Sequence, residues 1–113
     1  MQRSVAAAAA AASPALAAAI IRTEVLPPLR RELRYTESIH PGTTQLAAIH
    51  RNCVAAFGDA VTEYSQFAQA FQNNDASAYA RAKTEQRAAN QAWMQWQIGV
   101  LSLRLGGGTP ATP

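Results

Sequence analysis

The chain has 113 residues and a net charge of +3, so its length fits one domain and its ten basic residues are too few and too dispersed for a nucleic-acid surface. A single cysteine excludes an internal disulfide. Alanine contributes 26 residues, helix formers dominate, and no stretch alternates apolar and polar residues, which argues against a sheet and predicts an all-α protein. The abundance of alanine and arginine is typical of a GC-rich bacterial gene.

The alanine-rich segment over residues 1–12 has two interpretations. Arg3 followed by an apolar stretch that reaches about residue 17 has the outline of a secretory signal. Alanine transfers poorly into lipid, however, and Ser13-Pro14 interrupts the stretch, which favours a soluble helix with Ser13 as its N-cap. We therefore expect a cytoplasmic protein, or a secreted or periplasmic one if residues 1–17 are a signal. Membrane contact is expected only through this signal-like segment.

The first long helix is predicted over residues 13–41, with a break at Pro27-Pro28. Two successive prolines remove two backbone donors, so the helix must kink or restart there. Apolar spacing is regular after the break at Leu26, Leu29, Leu33 and Thr36, and it has a different phase before the break at Leu16, Ala19 and Ile20. A restart with both prolines in its first turn explains this change of phase.

Two unbroken heptad runs follow and predict a helical hairpin. The first run, over residues 44–72, has the seam Leu46, His50, Cys53, Phe57, Ala60, Tyr64, Phe67 and Phe71. The second run, which ends near residue 104, has the seam Tyr79, Ala82, Gln86, Ala89, Trp93, Trp96, Val100 and Leu103. Thr43 or Thr44 can cap the first helix, and Asn74 or Asp75 the second. A short turn makes the helices antiparallel, with facing residue numbers that sum to about 148.

These elements predict a three-helix up-down-up antiparallel bundle over residues 13–105, with its first helix broken at Pro27-Pro28. The alternative is four shorter helices, with residues 4–25 as a separate arm. Residues 106–113 are expected to form a flexible tail, because three glycines end the last helix.

His50 and Cys53 lie three residues apart on the first seam. A thiolate and an imidazole suit copper or zinc, but one metal ion needs further ligands, and acidic residues such as Glu63 are predicted on the outer faces. We therefore interpret the pair as core, with His50 bonded to a tryptophan N–H and Cys53 as a small buried side chain. No metal and no cofactor are expected.

Trp93 and Trp96 fall opposite His50 in this register, and they are either core residues or one end of a binding site. The segment "LRRELR" is predicted to place Arg30, Arg31 and Arg34 at the same end, where they would face an anionic ligand or a partner carboxylate. The predicted ligand or partner contacts are Trp93, Trp96, His50, Arg30 and Arg34.

No pattern in the sequence indicates catalysis, because no glycine-rich loop precedes a helix and no carboxylate pair is predicted to be buried. We expect a non-enzymatic bundle that acts by protein–protein contact, as an accessory or assembly subunit, with another protein or a second copy of itself. The alternative is a bundle that binds a small molecule or an anion at the Trp93/Trp96 end. A nucleic-acid partner is not expected.

Overall fold

A computed structural model describes residues 2–11 and 13–104. Its helical segments are α1 (Gln2–Ala9), α2 (Pro14–Ile20), a π-helical segment (Ile21–Val25), α3 (Leu26–Glu37), α4 (Thr44–Asn73) and α5 (Ala76–Ser102). Because α2, the π segment and α3 follow one another without a gap, these residues form four helical rods. The all-α class is thus confirmed, and the four-helix alternative matches. The predicted tail over residues 106–113 lies outside the described residues.

The second rod begins where the sequence indicates. The Ser13 hydroxyl accepts a hydrogen bond from the backbone N–H of Leu16 at 3.1 Å, and Pro14 occupies the first helical position. The separate N-terminal rod is therefore α1 alone, and not the arm over residues 4–25. The apolar face predicted before the prolines is also wrong, because Leu16 is exposed and the buried side chains are Ala17, Ala18 and Ile21. No helix among the described residues has both the length and the apolarity to cross a membrane.

The prolines change the helix without interrupting it. Pro27 and Pro28 stand in the first turn of α3, as predicted, but the preceding residues form a wider π turn in which the N–H of Leu26 donates to the carbonyl of Ile21. A proline ring clashes with the carbonyl four residues earlier and leaves it without a donor. The π turn accommodates the proline rings by adding one residue to the turn. This extra residue also rotates the apolar face of the following helix relative to that of the preceding one. After it, Leu26, Leu29 and Thr36 are buried.

The hairpin of α4 and α5 confirms the predicted caps. Thr43 caps α4 by accepting a hydrogen bond from the N–H of Leu46 at 3.1 Å. Asn74 takes the left-handed conformation with φ of 51°, which ends α4 and turns the chain. Asp75 then caps α5, because its carboxylate accepts from the N–H groups of Ser77 and Ala78 at 2.9 and 3.1 Å.

Aromatic contacts along the hairpin confirm its register. The ring of Phe57 meets that of Trp93 edge to face at 5.9 Å between centroids, and Phe67 meets Tyr79 at 5.6 Å. The helices approach closely near the open end, where a Cβ built on Gly99 would lie 3.1 Å from Cγ1 of Ile49. Each pair of residue numbers sums to about 148, as expected for two antiparallel rods with a short turn.

The bundle is more open than three mutually packed helices. In the described chain the backbone of α5 packs on α4 alone, while α2, the π segment and α3 pack along another flank of α4. The buried apolar cluster is formed by Ala18, Ile21, Val25, Leu26, Leu29, Phe67, Ala68 and Ala82. With α4 between its two neighbours, space remains between α3 and α5.

Candidate functional site

His50 and Cys53 face α3 and not the tryptophans. The Nε2 atom of His50 lies 2.6 Å from the backbone carbonyl of Thr36, so the predicted bond to a tryptophan N–H is wrong. The register with α5 was correct, but His50 lies on the side of α4 that α3 covers. The imidazole therefore joins two helices at a helix end.

Cys53 is half-buried beside the same turn of α3. Burial raises the pKa of the Cys53 thiol, the Thr36 hydroxyl acts in the opposite direction, and the negative charge of Glu32 adds to the increase. A thiol in this setting is protonated at neutral pH and is a weak nucleophile. The position serves packing better than covalent chemistry.

The two tryptophans form a stacked pair near the surface. Their ring centroids lie 4.8 Å apart with an angle of 26° between the planes. Trp93 is 40% exposed and Trp96 is half-buried, so the interpretation of both as core residues is wrong. α4 alone does not cover both indoles, because an indole ring is wider than the strip of α5 surface that contacts α4. Trp93 meets Phe57 in a T-shaped contact, and the rest of its exposed area faces solvent.

The arginines expected beside the tryptophans are exposed. Arg30 lines a polar cleft with Arg22, Ser65 and Gln69 on another flank of α4. Arg34 lies on the exposed side of α3. Among the five predicted contact residues, Trp93 and Trp96 are in direct contact with each other.

An apolar stripe that sequence analysis did not identify runs along the outer face of α5. Met94, Ile98 and Leu101 are 56%, 49% and 53% exposed. They are spaced i, i+4, i+7 and so share one face of the helix, which points away from the seam that packs on α4. The spacing was visible in the sequence, but the stronger seam through the tryptophans obscured it.

A second feature that sequence analysis missed is a buried carboxyl group in α4. Glu63 was predicted on an outer face, yet it is only 5% exposed. It lies seven residues from Ala56 and from Ala70, which are also buried. These three residues are buried because α4 packs against helices on two flanks. A single heptad seam describes a helix with one neighbour and therefore misses them.

Glu63 lines a cavity of about 180 Å³ between α3, α4 and α5. Its wall is formed by Leu29, Ala56, Phe57, Ala60, Tyr64, Ala89, Asn90 and Trp93. Burial raises the pKa of Glu63 from 4.5 to about 7, and among the described residues no opposite charge offsets this effect. Burial, together with the charge of Glu63, also raises the pKa of Tyr64. The site therefore holds a carboxyl group that is poised to ionise near neutral pH.

A larger cavity of about 350 Å³ lies between the N-terminal helices and α4. Its walls include Val5, Ile21, Phe67 and Phe71, and Ser13 and Tyr64 are its polar residues. Such a cavity follows from alanine-rich helices that fill space poorly, and it offers few polar groups to orient a ligand. In the same described residues, His, Cys, Asp and Glu form no group of three that a metal ion would need.

The chain was compared with protein families, curated proteins and solved structures. No family model matches it. No curated protein and no solved structure matches it either. Three features of the described residues bear on function: the tryptophan pair, the stripe on α5 and the carboxyl group of Glu63.

Proposed function

We propose that this protein is a non-enzymatic binding module, an accessory or assembly subunit, whose α5 helix binds an amphipathic helix of another protein. The observation that carries the proposal is the exposed stripe of Met94, Ile98 and Leu101 on the outer face of α5. Apolar anchors at i, i+4 and i+7 are the usual means by which one helix binds another. Docking would remove these side chains from water, which stabilises a complex by about 25 cal/mol per Å² of apolar surface.

The charges around the stripe indicate the chemistry of the partner. Arg87 precedes Met94 by seven residues and Arg104 follows Leu101 by three, so exposed guanidinium groups stand at both ends of the stripe. A second copy of α5 would bring arginines against arginines in either orientation, and such like-charge contacts oppose association. The partner helix is therefore expected to carry acidic residues on both sides of its own apolar stripe.

The remaining charges of α5 favour the same partner. The helix carries Arg81 and Lys83 in addition to Arg87, against the single acidic residue Glu85. A helix with this excess of positive charge attracts an acidic surface before contact and accelerates association, more strongly at low salt. Trp93, which precedes Met94 and is also exposed, adds a rigid aromatic side chain of the kind that anchors interfaces.

Site-specific photocrosslinking tests the proposal in the cell that makes the protein. Benzoylphenylalanine in place of Ile98 would crosslink to the bound partner, and mass spectrometry would identify the attached peptide. The matched control is the same probe in place of Leu16, which is also exposed but lies on α2. We expect the probe at position 98, and not the control, to attach to a helix with an apolar stripe and acidic flanks.

Charge reversal completes the test. Arg87→Glu with Arg104→Glu should abolish the crosslink at position 98 without changing the helical content measured by circular dichroism. Crosslinks from position 98 to a second copy of this chain, or to a peptide without acidic residues, would overturn the proposed partner. Identical products from positions 98 and 16 would overturn the proposed surface.

A further inference from the structure

A buried carboxyl group and a small cavity meet where α3, α4 and α5 come together. The cavity of about 180 Å³ exists because Ala56, Ala60 and Ala89 are too small to fill the space between α3 and α5. Glu63 lines this cavity and is 95% buried. A buried carboxylate without a partner is unfavourable, so the site is either protonated or incomplete without a cation.

The remaining walls of the cavity suit a cation with an apolar body. Phe57, Tyr64 and Trp93 contribute aromatic rings, whose faces carry partial negative charge and attract ammonium groups. Asn90 also lines the cavity, and an asparagine side chain has a carbonyl oxygen that can accept a hydrogen bond from an N–H group. No lysine, arginine or histidine is among the described residues that line the cavity.

We propose that this cavity is a binding site for a small primary ammonium ion with a flat apolar body, such as an arylalkylamine, held by an ion pair with the Glu63 carboxylate. The size of the cavity supports this class, because a cavity of about 150 Å³ in another protein takes up benzene. The ammonium group would donate to Glu63, and the ring would lie among the aromatic walls. The cavity shares Trp93 with the docking surface, but Met94, Ile98 and Leu101 do not line it, so each proposal can fail without the other.

The charge of the ligand follows from the charges around Glu63. α4 contributes Glu63 and the phenol of Tyr64, α3 contributes Leu29, and α5 contributes Ala89, Asn90 and Trp93. The only charge that this lining can develop near neutral pH is therefore negative. An anion would be repelled, and a neutral ligand would leave Glu63 protonated.

Binding of benzylamine, measured by tryptophan fluorescence and by calorimetry, tests the proposal directly. Benzyl alcohol and benzoate have nearly the same size and serve as neutral and anionic controls. We expect benzylammonium to bind at least about tenfold more tightly than benzyl alcohol, because a buried ion pair adds to ring burial. Benzoate should not bind.

Three variants locate the site. Glu63→Gln keeps the shape of the cavity and should remove the preference for benzylammonium over benzyl alcohol. Ala60→Leu fills the cavity and should weaken binding of both compounds. Glu24→Gln, an exposed carboxyl group on the π segment, should change neither. Urea unfolding of each variant would show that it is folded under the conditions of the binding measurement.

The pH dependence separates an ion pair from simple ring burial. Because the pKa of Glu63 is about 7 and benzylamine stays protonated below pH 8, affinity should rise about tenfold between pH 5 and 6 and level off above 7. Benzyl alcohol should show no such rise. Equal binding of all three compounds, or unchanged selectivity in Glu63→Gln, would overturn the proposal.

Discussion

His50 donates a hydrogen bond from Nε2 to the backbone carbonyl of Thr36 at 2.6 Å, and this bond ties the end of α3 to α4. A carbonyl only accepts, so Nε2 must carry the proton in this contact. The same carbonyl also accepts the N–H of Ile39 at 3.1 Å, since the last carbonyls of a helix have no partner within it. One side chain of α4 thus helps to define where α3 ends.

Replacement of His50 should weaken the contact between the end of α3 and α4. His50→Ala removes a hydrogen bond and a half-buried ring, so we expect the free energy of unfolding to fall by about 1–2 kcal/mol. Urea unfolding measures the loss, and amide hydrogen exchange should show faster opening at Ser38 and Ile39. His40→Ala is the matched control, because His40 is exposed in the turn. Equal effects of the two variants would contradict the role assigned to His50.

Glu63 should make stability depend on pH in the direction opposite to an ordinary carboxylate. Its pKa rises from 4.5 to about 7 on folding, so between these two pH values the folded chain keeps a proton on Glu63 that the unfolded chain has released. The contribution to stability is full below about pH 4.5 and is lost as the pH rises through 7. From pH 5 to 8 we expect the free energy of unfolding to fall by up to about 3 kcal/mol.

Glu63→Gln isolates this contribution, because the amide has nearly the same shape and does not ionise. The variant should match the parent protein near pH 5 and exceed its stability by up to about 3 kcal/mol at pH 8. Urea unfolding at several pH values measures both curves. Glu24→Gln, at an exposed position, should follow the parent curve. A parent curve that is flat between pH 5 and 8 would show that Glu63 is solvated.

Gln66 offers a further test of polar burial in α4. Its Oε1 atom is buried and has no hydrogen-bond partner among the described residues. Gln66→Met removes the orphan acceptor at similar volume, so we expect the free energy of unfolding to rise by about 1 kcal/mol. Gln69→Met makes the same exchange at an exposed position and should change little. A loss of stability in Gln66→Met would mean that the amide has a partner in solution.

Local signals in the sequence predicted the helix caps and the register of the hairpin. The sequence predicted Ser13 as one N-cap, Thr43 or Thr44 as the second and Asn74 or Asp75 as the third, because short polar side chains before an apolar run favour this position. The structure confirms Ser13 and selects Thr43 and Asp75. The register of α4 on α5 followed from the turn alone, since two rods joined at one end have no freedom to slide. Local chemistry determines such features, and they do not depend on the third rod.

The candidate sites depended on information that is not local. A heptad seam describes a helix with one neighbour, but α4 has neighbours on two flanks, and Glu63 became buried on the second. For Trp93 the error was the reverse: it was expected in the core, but within residues 2–11 and 13–104 the backbone of α5 packs on α4 alone, and part of the indole stays in solvent. The faces of a helix that are buried depend on how many helices pack against it. The apolar periodicity of one helix does not reveal how many neighbours it has.

The two glycines within the hairpin provide a matched test of packing between α4 and α5. A Cβ at Gly58 would meet nothing within 4 Å, so Gly58→Ala should raise the free energy of unfolding by about 1 kcal/mol through helix propensity. A Cβ at Gly99 would lie 3.1 Å from Cγ1 of Ile49, and crowding should cancel most of the same gain. In an Ile49→Ala background the full gain should return, and a double-mutant cycle by urea unfolding measures the coupling. If Gly99→Ala gained as much as Gly58→Ala with Ile49 in place, the open end of the hairpin would be looser than the structure shows.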